Sequence, residues 1–507
     1  SGGTFTVAGD VSDGGGTSTI LNNGTLNVGG NLSVDTLNIG IYSSAPEKGV
    51  LNLGAGTIVN AGTILVSDSG DGYNTSLTSE VHFGASNTVY ANTFTLGGRK
   101  GAATADIVPG GSLTIGQETD RATLYIGRNN VGTGSDAWGR LDLSDGANFT
   151  AYLSNLTLGH KSGGDSGTGR GELVLAANNL LDVTGTILVG ESNDGGQTTP
   201  STITLGTVST TVLAGTFIVG GPKSDAIVTL PAGAVVNLGE SGRLMDLYVC
   251  RNNVGTASTS QATMDLSAGT VNAVLDTLTV GQKTGGGTGS ATGTLLLGDS
   301  ATVSANAITL GELASATGSN AVAAASGTLV MDGGSLQTGS LTLGLNGGTG
   351  SMTVNGGTVS VGTGSEGLYV GRRTGDVGSS TAKSALSTLD LSGADSFSAN
   401  VGTFGIGYVT GSGGGQTYPT GRVTLSPDNN ITATTVVVAD SPSVGLGSVT
   451  NELHFGASNN VQADTVTIGG SKGRALADLA AGGVLNLVGR SGQRANVNVG
   501  NQPVGTG

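Results

Sequence analysis

The sequence predicts an all-β fold, a three-sided parallel β-helix (β-solenoid) of about sixteen coils with about 31 residues each. Two nested repeats lead to this prediction. A short segment with alternating apolar residues returns about every 31 residues, and a longer motif returns about every 123 residues, or four short repeats. The chain is also rich in small residues, with 94 glycines among 507 residues, which favours thin layers of side chains over a bulky globular core.

The longer repeat is visible as successive copies of one motif. It reads LYIGRNNVGTG at residues 124–134, LYVCRNNVGTA at 247–257 and LYVGRRTGDVG at 368–378, and VNVGNQPVGTG begins at Val497. These copies divide one continuous solenoid, residues 1–507, into four-coil units of roughly 1–127, 128–250, 251–371 and 372–500. Because an uncovered last coil leaves apolar surface and unpaired strand edges, we expect the array to be completed end to end, by further chain or by another copy.

Each short repeat ends in a small residue, here called the mark. The sixteen marks are Gly40, Ser67, Gly97, Gly127, Gly159, Gly190, Gly220, Cys250, Gly281, Gly311, Gly344, Gly371, Gly407, Ala439, Gly469 and Gly500. The residues three places and one place before every mark are Leu, Ile, Val or Phe, whereas the residue between them varies in type. This period-two alternation predicts a strand with one buried face.

Parallel stacking follows from the length of the repeat. Copies about 31 residues apart are too distant for hairpins, so each coil must return and stack on the last one. The stretch at residues 171–190, GELVLAANNLLDVTGTILVG, contains three strand-like segments, ELVL, LLDV and TILV, and this gives three sides. At about 4.8 Å per coil the stack is expected to be a rod about 70–75 Å long.

The marks predict a bend in which a positive backbone angle is common, since glycine adopts that angle without strain. We interpret Cys250 as a small residue at a glycine position, not as a reactive thiol. After each mark comes a variable insertion, and every fourth one is short, as in GRKGA, GPKSDA and GSKGRA. The long insertions are expected to line one edge of the rod, and we place the aromatic residues Tyr73, Trp138 and Tyr418 in them.

Composition excludes several functions. The net charge of −15 gives no electrostatic support for binding nucleic acid or anionic lipid. No apolar stretch is long enough for a membrane helix, so membrane insertion is not expected. A single cysteine allows no internal disulfide and no cysteine-built metal centre. Carbohydrate, mineral, cation or protein remain as partners.

The short repeats resemble the β-strand repeats of bacterial autotransporter passengers and of related exported surface proteins. In those families, units such as T-L-x-V-G form large extracellular β-solenoids. Matching stretches are GGNLSVDTLNIG, GVLNLGAGTIVNAGTILV and GTLVMDGGSLQTGSLTLG, and the pattern covers nearly the whole chain. The resemblance implies a location outside the bacterial cell and a structural or adhesive role.

No enzyme is expected. A β-helix that cleaves polysaccharides needs an acidic cluster with basic or aromatic residues on one face. This chain has three His, one Trp and nine Tyr spread over about sixteen coils. No cofactor is expected either, although weak Ca²⁺ binding by the loops is left open.

One constellation of polar residues occurs twice. It is built from Asp68, Glu80 and His82 and returns as Asp440, Glu452 and His454, in each case around VHFGASN or LHFGASN. Such residue types hold divalent cations, so both sets are candidate metal sites. The alternative is that they are polar corner residues that bond to the backbone of a loop.

A second candidate site is a series of Tyr–Arg pairs, one in every fourth coil. The pairs are Tyr125 with Arg128, Tyr248 with Arg251, and Tyr369 with Arg372. Tyr and Arg are favoured where protein surfaces meet, so these residues are candidates for a lateral contact. Alternatively, each Tyr covers its own strand and each Arg pairs with an acidic residue of a nearby loop.

The predicted function is structural. The chain would be an acidic extracellular or cell-surface β-solenoid of a bacterium that forms or stiffens a fibre, a surface layer or an adhesin stalk. Its expected partner is itself, end to end or laterally. The alternative is a binding module whose loop edge recognises a glycan or a host surface protein.

Overall fold

The structure is a computed structural model. It describes residues 3–14, 19–21, 23–41, 48–130, 136–162, 167–192, 197–254, 259–285, 288–314, 325–374, 383–410, 417–441 and 449–500. The chain forms two compact units, Ser1–Asp246 and Leu247–Gly507, here called the N-terminal and C-terminal units. The boundary falls four residues before Cys250, where one of the predicted four-coil units ends.

Both units are nearly all β, and the described residues contain no α-helix. The strands of the N-terminal unit are β1 (Thr4–Val7), β2 (Val11–Ser12), β3 (Thr19–Leu21), β4 (Gly24–Val28), β5 (Leu32–Ile39), β6 (Gly49–Leu53), β7 (Ile58–Val66), β8 (Ser69–Phe83), β9 (Ser86–Ile107), β10 (Ser112–Ile115), β11 (Ala122–Asn129), β12 (Ala137–Asp142), β13 (Asn148–Lys161), β14 (Gly169–Val174), β15 (Asn178–Ser192), β16 (Gln197–Thr204), β17 (Ser209–Val219), β18 (Ser224–Thr229) and β19 (Val235–Leu238).

The unit boundary lies within β20. The remaining strands are β20 (Met245–Asn252), β21 (Ser260–Leu266), β22 (Thr270–Lys283), β23 (Ala291–Leu297), β24 (Ala301–Leu313), β25 (Ala325–Met331), β26 (Ser335–Leu345), β27 (Thr349–Val354), β28 (Thr358–Val361), β29 (Gly367–Arg373), β30 (Lys383–Asp390), β31 (Ser396–Val409), β32 (Thr417–Thr424), β33 (Asp428–Asp440), β34 (Thr450–Phe455), β35 (Ser458–Ile468), β36 (Arg474–Leu479), β37 (Val484–Val488) and β38 (Asn496–Val499). A 3₁₀ turn, Arg490–Gly492, lies between β37 and β38.

Within each unit, strands pair in parallel with strands of the next repeat, and equivalent positions face one another. In the N-terminal unit, Leu156 of β13 faces Ile187 of β15, which in turn faces Phe217 of β17. In the C-terminal unit, Val436 of β33 faces Val466 of β35. The repeat period therefore sets the register of the sheet, as the alternation predicts.

Each repeat contributes three extended segments, and some corners interrupt the pairing only slightly. The pairing of β13 with β15 shifts register between Leu153 and Leu156, which separates two segments of one long strand. The third segment comes from a separate strand, such as β14, which pairs with β12 and β16. The three segments predicted for residues 171–190 are present at β14 and in the two halves of β15.

The predicted apolar columns form the interior. The residues three places and one place before the marks are buried in every repeat up to Val466. The exceptions are Ile468, which is partly exposed, and Val497 and Val499, which are 48% and 72% exposed. These two residues belong to β38, which pairs with β35 and has no second neighbour among the described strands.

All sixteen marks have a positive φ, including Ser67, Cys250 and Ala439. This confirms the predicted bend and explains the preference for glycine. A Cβ atom at Gly127 would lie 1.8 Å from the carbonyl oxygen of Arg170 in β14. Cys250 is fully buried, and its Sγ donates to the carbonyl of Ser260 at 3.2 Å.

The aromatic residues assigned to loops are in strands instead. Trp138 lies in β12, where its Nε1 donates to Glu172 Oε1 of β14 at 3.3 Å. Tyr73 and Tyr418 are within the bounds of β8 and β32, and their side chains lie outside the described part of the chain. The strands simply extend further into the insertions than the alternation indicates. No helix of the described residues has the length and apolar character needed to cross a membrane.

Candidate functional site

The three Tyr–Arg pairs share one local geometry. Tyr125 lies on the outward side of β11, between the buried Leu124 and Ile126. The positive φ of Gly127 then turns the chain so that Arg128 returns over the Tyr125 ring, with its guanidinium carbon 4.2 Å from the ring centroid. The spacing of three residues sets Tyr125 and Arg128 on either side of Gly127, and the turn at Gly127 brings the guanidinium over the ring.

The other two pairs repeat this stacking. The guanidinium carbon of Arg251 lies 4.6 Å from the Tyr248 centroid, and that of Arg372 lies 3.8 Å from the Tyr369 centroid. These are cation–π contacts, which favour a fixed orientation of the guanidinium. The described residues thus place each guanidinium over its own tyrosine ring, and the insertions that follow, 131–135, 255–258 and 375–382, lie outside the described part of the chain.

The guanidinium groups are only partly satisfied. The Nε atoms of Arg128, Arg251 and Arg372 are all buried without a hydrogen-bond partner. None of the three arginines forms an ion pair within the described residues. Each one is thus a partly exposed positive charge held over an aromatic ring.

Tyr369 has a second aromatic neighbour. Its ring stacks on that of Tyr408 of the next repeat, with centroids 6.0 Å apart and planes 3° from parallel. The Tyr369 ring has room because the residue that faces it in β31 is Gly405, which has no side chain. A Cβ atom at Gly405 would lie 2.9 Å from Cδ1 of Tyr369. Burial, together with nearby Tyr369 and Asp440, raises the pKa of Tyr408 above its ordinary value.

The residues directly after the marks form a column in which the chemical types of the side chains follow a regular order. In the C-terminal unit the column reads Arg251, Gln282, Glu312, Leu345, Arg372, Tyr408, Asp440 and Gly470. In the N-terminal unit it contains Asp68, Gly98, Arg128, His160, Glu191 and Gly221. We call it the post-mark column. A cation, a polar residue, an acid and a small or apolar residue follow one another through four repeats, and the order then starts again.

The duplicated polar constellation is assembled differently from the prediction. His82 Nδ1 lies 2.7 Å from Asp106 Oδ1, and His82 Nε2 lies 3.5 Å from Glu80 Oε2. Lys48 Nζ also contacts Glu80, at 2.5 Å from Oε1. Asp106 was not singled out because it belongs to the next repeat, where it faces His82 across the ladder.

Asp68 takes no part in that cluster. Its carboxylate pairs with Arg99, and in the duplicate copy Asp440 Oδ1 accepts a hydrogen bond from the backbone N–H of Ser471 at 2.9 Å. Carboxylates lie at both ring nitrogens of His82, Asp106 at Nδ1 and Glu80 at Nε2, on opposite sides of the imidazole. Within the part of the chain that the structure describes, no group of three or more His, Cys, Asp or Glu is placed to hold a metal ion.

The second copy has the same arrangement. His454 Nδ1 lies 2.7 Å from Asp478 Oδ1, and its Nε2 lies 3.2 Å from Glu452 Oε2. Arg422 takes the place of Lys48, with its Nε 2.5 Å from Glu452 Oε2. Each cluster is a network of charges that crosses neighbouring strands.

This network predicts a pH dependence of stability. Partial burial lowers the pKa of His454, but hydrogen bonds and charges from Asp478 and Glu452 outweigh it and raise the pKa above 6.5. The stabilisation by protonated His454 is therefore complete below about pH 6.5 and lost as pH rises through the raised pKa. The hydrogen bond and charge of Arg422, with His454, lower the pKa of Glu452 below 4.5, so its contribution is lost only in stronger acid.

We expect His454→Gln to reduce the fall in melting temperature between pH 6 and pH 9, because Gln keeps polar contacts but does not titrate. Melting curves of both proteins across this range measure the effect. If the melting temperatures of the two proteins changed identically with pH, the assigned contribution of protonated His454 to stability would be contradicted.

A set of buried cations, which the sequence pattern did not indicate, lies at the corner where insertions begin. They are Lys100, Lys161 and Lys223 in the N-terminal unit and Lys283 and Arg373 in the C-terminal unit, none more than 3% exposed. Lys283 Nζ donates to the carbonyl of Val254 and to Asn252 Oδ1, and burial lowers its pKa. Lys283 therefore connects the start of its own insertion to residues of the preceding repeat. The signal of these cations in the sequence is a Lys or Arg two or three residues after a mark.

A second missed feature is an arginine clamp within the N-terminal unit. Arg121 Nη1 and Nη2 lie 2.9 and 3.1 Å from Asp182 Oδ1 and Oδ2, and Arg243 Nη2 lies 2.7 Å from Asp182 Oδ1. The two arginines come from short turns two repeats before and two repeats after Asp182. Burial alone would raise the pKa of Asp182, but hydrogen bonds from both arginines hold it below its ordinary value. The clamp therefore links repeats that do not pair directly.

No protein-family model matches the chain, and comparisons with curated proteins and with solved structures found no similar protein.

Proposed function

We propose that the chain is a structural β-solenoid of the bacterial cell surface, a three-sided parallel β-helix of about sixteen coils that forms or stiffens a fibre, surface layer or adhesin stalk. The observation that carries the proposal is the parallel pairing within each unit, in which one repeat faces the next at equivalent residues. Bending such a stack strains many backbone hydrogen bonds together.

Three further features support a mechanical role. The interior columns exclude water along each unit, and burial of such columns is the main stabilising term of a fold. The clamp of Arg121, Asp182 and Arg243 adds contacts across repeats that are not adjacent. The buried Lys283 attaches an insertion to the neighbouring repeat. The resemblance to repeats of exported surface proteins supports the location, and the mechanism needs no cofactor.

The proposal predicts that one four-coil unit can be removed without loss of the fold. Deletion of residues 251–371 joins Cys250 to Arg372, which occupies the position of Arg251 in the repeat. We expect a cooperatively folding protein that still labels with antibody on intact cells. Electron microscopy should show its surface structure shortened by about 19 Å, the height of four coils.

Deletion of residues 251–356 is the matched control, since it joins two different positions of the repeat and should prevent folding. Labelling confined to the cell interior, or a surface structure of unchanged length, would contradict the structural role.

A second candidate function, binding of a glycan, is favoured by a groove in the N-terminal unit. The groove is lined by Asp35, Asn60, Tyr90, Asn92 and Asp120, together with backbone of the same corner. An aromatic ring beside amides and carboxylates offers stacking and hydrogen bonds to a sugar. The deletion of residues 251–371 leaves this groove intact. A protein that acts as a binding module would therefore still bind its ligand after the deletion, even though the chain is shorter. The predicted loop edge lies largely outside the described residues.

A further inference from the structure

The post-mark column of the C-terminal unit carries alternating charges. Its ionised members, in order, are Arg251, Glu312, Arg372 and Asp440, so a positive and a negative group follow each other at every second repeat. Two repeats correspond to about 10 Å along the stack. All four side chains are partly exposed.

Among the described residues, no ion pair forms at any of these four charges. Arg251 and Arg372 stack on tyrosines, and neither is in an ion pair with a described residue. Glu312 Oε2 accepts a hydrogen bond from the neutral Gln282 at 2.6 Å, and Asp440 accepts one from the backbone of Ser471. Neighbouring repeats therefore separate opposite charges instead of pairing them, although the same chain forms close ion pairs elsewhere, such as Arg422 with Glu452.

Reversal of the column exchanges its signs. Read in one direction the order is positive, negative, positive, negative, and read in the other direction it is the opposite. A second copy laid antiparallel on this face thus places every charge against its complement, whereas a parallel copy in register places like charges together. A two-fold axis makes such contacts self-complementary, because each residue meets its partner twice.

We propose that the post-mark column of the C-terminal unit is a lateral docking surface for a second copy of this chain, in an antiparallel two-fold arrangement. Arg251 then meets Asp440 of the other copy, and Glu312 meets Arg372. The stacked rings of Tyr369 and Tyr408 lie beside Arg372 and supply flat aromatic surface of the kind enriched at interfaces. A net charge of −15 opposes unspecific association, so contact requires complementary pairs of this kind.

This proposal extends the proposed structural function by giving the surface element a specific lateral contact. The two fail separately. A chain that stays monomeric but labels on the cell surface and shortens on deletion of residues 251–371 loses only the lateral contact.

The test is sedimentation of the full chain with charge-reversed variants. The wild type should dimerise, with weaker association at high salt. Arg372→Glu and Glu312→Arg should each raise the dissociation constant about tenfold or more, since each places like charges together twice. An equimolar mixture of the two variants should dimerise again, because their altered residues are complementary. Circular dichroism of each variant verifies the fold.

A second pair of variants fixes the orientation. In the antiparallel arrangement Asp440→Arg restores association with Arg251→Glu, whereas in a parallel arrangement shifted by two repeats Glu312→Arg would do so. Arg474→Glu, an exposed arginine of β36 outside the column, is the matched control and should dimerise like the wild type. A monomeric wild type at high concentration, single variants that associate normally, a mixture of folded variants that stays monomeric, or rescue by Glu312→Arg would each overturn the proposal.

Discussion

Replacement of Ile126 by Asp should unfold the N-terminal unit, whereas the same replacement at Thr157 should leave it folded. Ile126 is fully buried between Leu96 and Leu158, its partners in the neighbouring repeats. An isolated carboxylate in that interior costs several kcal/mol, and water cannot reach it without separation of the ladder. Thr157 lies one residue from the same column and points outward, where a carboxylate stays hydrated.

Far-ultraviolet circular dichroism and thermal melting measure this difference. The comparison is matched, because both substitutions introduce the same charge within one sheet, at positions a single repeat apart. We expect loss of more than about 4 kcal/mol for Ile126→Asp and less than about 1 kcal/mol for Thr157→Asp. Equal damage at both positions would reverse the assigned interior and exterior faces.

The interior and the register could be predicted from sequence because both depend on local periodic signals. Two apolar residues before each mark alternate with a free one, and the structure buries them in almost every repeat. The most exposed exceptions, Val497 and Val499, depend on a neighbouring strand, which a local pattern does not report. The positive φ at every mark was also predictable, since glycine is the residue that adopts it most easily.

The candidate site was predictable only in part, because its contacts join residues of different repeats. The Tyr–Arg stacking follows from a short local motif, and the pattern identified all three pairs. The His82 cluster depends on Asp106, which becomes a neighbour only through the register of the ladder. The Arg121–Asp182 contact spans two repeats and leaves no periodic signal. Lysines two or three residues after a mark resemble solvated loop residues in sequence, and their burial is a tertiary effect.

Gly127→Ala should destabilise the N-terminal unit strongly, whereas Gly110→Ala should do so only slightly. Both glycines have almost the same backbone conformation, with φ of 72° at Gly127 and 73° at Gly110. The strain of a side chain at such an angle is therefore common to both, about 1–2 kcal/mol. Their surroundings differ. A Cβ atom at Gly127 would lie 1.8 Å from the Arg170 carbonyl oxygen, whereas nothing lies within 4 Å of one at Gly110.

The difference between the two variants therefore isolates the close approach of the strands at a mark. The Arg170 carbonyl belongs to the ladder of β14, so it cannot move away without disturbing its pairing with β12 and β16. We expect Gly127→Ala to cost at least about 3 kcal/mol more than Gly110→Ala. Ala439 adopts a similar positive angle, with φ of 60°, which shows that such an angle alone does not forbid a methyl group. Equal melting temperatures for the two variants would mean that the marks are glycine only for conformational freedom, and that the repeats are not in close contact at this corner.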